Sequence, residues 1–185
     1  MSTSPVEIVL TFSTGLVAFA LAVSGTSKVG YVARTLGAMS ALRIPSVLQR
    51  SFIARLLPFG ELLLSLGLFL APGMGRQAAG ALAAVMLAIF TAMLIAVLQR
   101  GEDVDCGCFG ALTPESRVTL WSVGRNAVLL FASVVVALFA GGAAPFATEL
   151  FTLDDNTVLL AALAWAVTAI AVLTRMVVFL RRAPI

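Results

Sequence analysis

Five uninterrupted apolar runs, each close to the length that crosses a bilayer, govern what this chain can fold into. They cover about Ile8–Ser27, Phe52–Ala71, Gln77–Leu98, Thr119–Ala140 and Thr157–Leu180. A helix rising ~1.5 Å per residue needs about 20 residues to cross ~30 Å of hydrocarbon. Inside that layer backbone polar groups find no water, so only helices or closed barrels satisfy them. A barrel would show ten-residue segments of alternating polarity. These runs are apolar throughout, and the expected fold is an all-α polytopic membrane bundle. Composition points the same way: 61% of the 185 residues are hydrophobic and 11% charged, with no histidine. Soluble domains carry about 25% charged residues. The lipid bilayer is therefore the solvent. The net charge of +3 reads as a topology signal, and with no basic tail or aromatic-rich basic patch, nucleic acid is not an expected partner.

The breaks between runs have recognisable chemistry. Pro72-Gly73-Met74-Gly75 is short enough only for a tight hairpin, and Gly141-Gly142 followed by Pro145 ends the fourth run. Ala20-Leu21-Ala22 in the first run resembles a signal-cleavage site. The preceding residues, however, hold Glu7 and no Lys or Arg, and the run exceeds a signal core, so a retained helix is expected. The chain reads as a single integral membrane domain, residues 1–185. Between the first two spans, residues 30–50 interleave Arg34, Arg43 and Arg50 with Val32, Leu36, Met39, Leu42, Val47 and Leu48. That pattern suits an amphipathic helix lying in the headgroup plane, divided near Pro45; an ordinary connecting loop is the alternative.

With five spans, the connections Lys28–Arg55 and Gln99–Arg117 share a side with the C-terminal tail. That side carries eleven of the twelve Lys and Arg residues, once Arg125 and Arg175 are counted with it; the other side has Arg76. The positive-inside rule then sets the N-terminus outside and the C-terminus in the cytoplasm, in an inner membrane.

Lys28, Glu61, Arg125 and Arg175 fall inside or at the lip of spans, where ionisable groups are costly and face a bundle interior or a headgroup. Counted from the nearest flanking arginine, Glu61 and Arg175 lie about 9 Å deep and Arg125 about 12 Å. All four depths run from one side of the membrane. Arg125 and Arg175 have the simpler option of snorkelling to phosphates. Glu61 gains nothing from phosphate and needs either a cationic partner, for which Lys28 and Arg125 are the candidates, or a proton. Either a structural ion pair or a polar pocket accounts for the group.

On the same side the sequence Asp105-Cys106-Gly107-Cys108-Phe109-Gly110 holds both cysteines. A disulfide across so small a ring satisfies the usual geometry poorly and is easily reduced, and it removes almost no chain entropy as a staple. Gly107 lacks the Cβ that would obstruct the needed backbone angles. Thiol exchange suits such a pair. Two thiolates without histidine leave a zinc site incomplete, although a two-coordinate soft ion would fit. Two small side chains in a tight turn are the remaining reading. The acids Glu102, Asp103 and Asp105 oppose thiolate formation, and Arg100 and Arg117 favour it.

"LQRGEDVDCGCFG" after the third run and "SVGRNAVLL" opening the next resemble the MauE branch of the DoxX-like membrane proteins. So do "GTSKV" (Gly25–Val29) and "LPFGELLLSLGLFL" (Leu57–Leu70). The resemblance implies a compact four-helix core, which the fifth run extends. It also singles out Lys28, Glu61, Cys106, Cys108, Gly110, Arg125 and Asn126. It associates the chain with redox maturation, in which partner proteins acquire disulfides or fold at a bacterial inner membrane.

The leading expectation is thus a membrane thiol–disulfide protein. Cys106 and Cys108 exchange with a thioredoxin-like or membrane partner, Gly107, Phe109 and Gly110 shape the loop, and Lys28, Glu61, Arg125 and Asn126 form a polar site that could hold a quinone head. No metal is expected. The rival is a non-catalytic accessory subunit of a larger transport or respiratory complex, docked through small-residue faces such as Gly80–Ala84 and Ala161–Ala164. A carrier is disfavoured because no inverted repeat is evident.

Overall fold

Each apolar run that the structure describes closes its backbone hydrogen bonds within one helix, as a segment in lipid must. The computed structural model describes residues 5–47, 49–102 and 118–148. Cys106, Gly107, Cys108, Phe109, Gly110, Leu48, Arg117, Arg175 and the expected fifth span at 157–180 lie outside the described residues. The helices are α1 (Pro5–Lys28), α2 (Val32–Ala41), α3 (Ser51–Leu70), α4 (Gly73–Arg100) and α5 (Leu120–Phe139), the last running into a 3₁₀ turn at Ala140–Gly142. No strand occurs among the described residues. Four helices, α1, α3, α4 and α5, are long and apolar enough to cross a membrane. The chain is an all-α, multi-pass membrane protein.

The α3–α4 hairpin is tighter than Pro72–Gly75 predicts. Pro72 is the extended N-cap of α4, and Gly73 already begins the helix. Gly73 adopts φ +45°, which the absence of Cβ permits, and its N–H donates to the Ala143 carbonyl at 2.8 Å. That bond ties the hairpin to the end of α5. In the 30–50 segment, α2 stops at Ala41 and the chain turns through Arg43 at φ 55°, ahead of Pro45. Proline disfavours helical angles in the residue before it. The turn closes with Leu42 N–H on the Ala38 carbonyl and Ile44 N–H on the Met39 carbonyl.

Small residues set the helix spacing. A Cβ on Gly80 would lie 2.8 Å from Val136 Cγ1 and 3.0 Å from the Ala137 nitrogen, so α4 and α5 touch almost backbone to backbone. Ala79 and Ala83 continue that seam into a core with Leu10, Val17, Leu68 and Val136. The face centred on Gly80 and Ala83, legible as a docking surface, is therefore occupied from within by α5. Hydroxyls in the spans return to the preceding turn: Thr14 donates to Leu10 (2.8 Å), Thr91 to Leu87 (2.7 Å) and Ser133 to Leu129 (2.8 Å). Large apolar side chains such as Phe12, Phe59, Leu63 and Phe131 point outward, which lipid accepts without penalty.

Gly80→Val is expected to lower stability by about 1–3 kcal/mol through overpacking against Val136. Gly37→Ala, at a position with no atom within 4 Å of a new Cβ, should leave it unchanged or slightly raised. Thermal unfolding of the detergent-solubilised protein checks both.

Candidate functional site

The polar centre of the bundle begins with a glycine. At Gly25 a Cβ would meet Leu62 Cγ and the Pro58 carbonyl, each at 2.9 Å. α1 and α3 can approach this closely because Gly25 has none, and the Ser65 hydroxyl bonds the Ala18 carbonyl at 2.7 Å farther along the same seam. One turn beyond Gly25 stands Lys28, the last residue of α1, and between Pro58 and Leu62 stands Glu61. Their side chains form an ion pair in which Lys28 Nζ donates to Glu61 Oε1. Lys28 Nζ also donates to Ser24 Oγ at 2.9 Å, and lies 5.7 Å from the centroid of the Phe90 ring. Lys28 is 6% exposed and Glu61 2%. The lysine therefore turns inward to the acid and forgoes the headgroups that its place at a helix end would let it reach.

Glu61 lies well inside α3, six residues past Arg55. α3 starts at Ser51, so ten residues at 1.5 Å put Glu61 about 15 Å along the helix. Of the two cations proposed for it, Lys28 is the one that binds. Arg125 and Asn126, on α5, line the same small cavity as Ser24, Lys28, Glu61 and Phe90. Asn126 is buried and Arg125 half-buried. Four residues named from sequence, on three different helices, thus meet around one space.

That space measures about 40 Å³. It holds about two or three waters, whereas a benzene ring needs a cavity of roughly 150 Å³. Glu61 Oε2 is buried and lacks a hydrogen-bond partner among the described residues, so the cavity offers water an acceptor and excludes a quinone ring in this conformation. The ion pair itself is a high-stakes arrangement. Two desolvated charges offset each other, and removing either leaves the other uncompensated.

A second charged cluster lies at the surface. Arg43 Nη2 donates to Glu102 Oε1, and Arg100 Nε donates to Glu102 Oε2 at 3.1 Å. It links the end of α2 to the end of α4, where the chain leaves for residues 103–117. Arg43 is largely exposed, so the cluster contributes little stability and more positioning. Arg76, which sequence reading treats only as the lone basic residue of the opposite side, is fully buried. Its position just after a hairpin gives no hint of that. Ser24 and Phe90 were also missed. Ser24 sits one turn before Lys28 on the same face, a detectable spacing; Phe90 comes from another helix and carries no local signal.

The family described as methylamine utilisation protein MauE matches residues 6–140. The chain belongs to the MauE family. Methylamine utilization protein MauE of Paracoccus denitrificans is 32% identical over 121 residues, covering 64% of this chain and 63% of that relative. The chain thus spans less than two thirds of the relative's length. No solved structure matches. The MauE match takes in the ion pair, Arg125, Asn126 and both cysteines, and stops before the expected fifth span.

Lys28→Met or Glu61→Leu alone should destabilise the fold by about 3–5 kcal/mol, and the double variant should recover most of that loss. A double-mutant cycle on detergent-solubilised protein measures the coupling, and additive losses would argue against the pair.

Proposed function

We propose that this MauE-family chain is an accessory membrane protein that exchanges disulfides with a partner through Cys106 and Cys108. One cysteine thiolate attacks a partner disulfide, and one partner sulfur leaves as a thiolate. The second cysteine then resolves the mixed disulfide. The partner ends with two thiols, this chain with a Cys106–Cys108 disulfide, and two electrons and two protons pass between them. The same steps in reverse deliver a disulfide to the partner. The role in the relative's name, methylamine utilisation, supports work alongside other proteins, and the partner proposed is a thioredoxin-like or membrane redox protein, or a larger membrane assembly.

The observation that carries this reading is the position of the helix ends around residues 103–117. Lys28 ends α1, Arg100 ends α4, and Arg125 lies in the second turn of α5, so the bracketing ends of α4 and α5 stand at the ion-pair end of the bundle. The charged groups at that end would then lie at the base of the segment that carries Cys106 and Cys108, which supports a role for them in the exchange. The orientation proposed is the inner membrane with that end cytoplasmic. Lys28, Arg34, Arg43, Arg50, Arg55, Arg100 and Arg125 stand against Arg76 at the other end among the described residues.

Cys106→Ser and Cys108→Ser, tested singly, should differ. The variant lacking the resolving thiol traps the partner as a mixed disulfide on a non-reducing gel, and the other does not. A double variant that leaves partner maturation unchanged would replace exchange with scaffolding. A membrane-impermeant maleimide should label the thiols only after permeabilisation; labelling in intact cells inverts the orientation and leaves the exchange reading standing.

A further inference from the structure

Between α2, α3 and α4 lies a larger cavity, of about 240 Å³ and partly open. Met39 and Leu42 cover it from the α2 side, Ile53 and Leu57 come from α3, and Phe90 and Met93 from α4. It exists because α2 packs chiefly on α3, leaving space before α4. The lining is almost wholly carbon. Lys28 also borders it, but the ammonium is engaged by Glu61 and Ser24. A wall of this chemistry has little to offer a polar ring and suits hydrocarbon. Apolar cavities stay dry, and an unfilled one forfeits the dispersion contacts of its lining.

The surroundings are cationic. Exposed Arg50 and Arg55 flank Ile53, and no acidic residue occurs between Val29 and Gly60. Glu102, near the end of α2, is already held by Arg43 and Arg100. Hydrocarbon below and positive charge above are the two halves of one amphiphile.

We propose that this cavity holds one acyl chain of an anionic phospholipid whose phosphate meets Arg50 and Arg55. The chain lies under the interfacial helix and against Phe90 and the Lys28 stem. Phe90 and Lys28 also line the small polar cavity, which Asn126 lines as well, so the lipid backs the ion pair through these two shared side chains. It acts as a structural ligand, and this holds whether or not the cysteines exchange disulfides.

The test uses the full chain in phosphatidylcholine vesicles with trace phosphatidylglycerol bearing a diazirine on one acyl chain. After irradiation, adducts are mapped by mass spectrometry. Adducts on Met39, Phe90 and Met93 are expected, about tenfold more abundant than with the same tag on phosphatidylcholine. Arg50→Gln with Arg55→Gln should bring phosphatidylglycerol labelling down to the phosphatidylcholine level. Met93→Trp fills the cavity and should abolish labelling there while circular dichroism stays helical; Ala38→Phe plugs it from the α2 side if the tryptophan variant does not fold. Equal cavity labelling by both lipids overturns the proposal. So do adducts confined to outward residues such as Phe131, or displacement of the tagged chain by an equimolar short-tailed quinone.

Discussion

The structure depends on one interaction, the Lys28–Glu61 ion pair closed across α1 and α3. A carboxylate about 15 Å along a membrane helix has no solvent and no headgroup to turn to, so the fold must bring it a cation. That requirement accounts for several otherwise separate features. Gly25 lets α1 ride directly on the Pro58 carbonyl, which puts Lys28 in register with Glu61. Ser24 and the Phe90 ring engage the ammonium further. α5 brings Asn126 and Arg125 to the same cavity, giving Glu61 polar surroundings that hydrocarbon would not provide.

Helix packing elsewhere follows the opposite logic. Lipid tails are as apolar as leucine, so burial of large side chains gives no advantage between spans, and close approach of small ones does. Val136 fills the space that Gly80 leaves, while Phe59, Leu63 and Phe131 face outward. The bundle is therefore tight along the α4–α5 and α1–α3 seams and looser where α2 lies over α3 and stands off α4. That looser corner holds the apolar cavity, and its floor is shared with the ion pair. The apolar cavity and the polar one are neighbours that share Phe90 and the lysine stem as lining.

Charge among the described residues of this MauE-family protein gathers at one end of the bundle. The cluster of Arg43, Glu102 and Arg100 fastens the turn after α2 to the end of α4. Ordering these helix ends beforehand lowers the entropy lost in any encounter there.

The sequence alone determined the four described spans and the end of the bundle at which each charge in them lies. Continuous apolar runs of bilayer length have one hydrogen-bonding solution, and counting spans assigns each charge to an end. It also determined that Glu61 required a cation or a proton, since burying an unpaired carboxylate is prohibitive. Which cation could not be read, because Lys28 and Arg125 are both within reach by depth and differ only in how helices rotate. Tertiary structure decided that through Gly25, whose missing Cβ aligns α1 with α3. It likewise decided that Arg76 is buried, that Phe90 joins the site and that a cavity opens under α2. Each of these depends on contacts between segments far apart in the chain, and no local pattern encodes them.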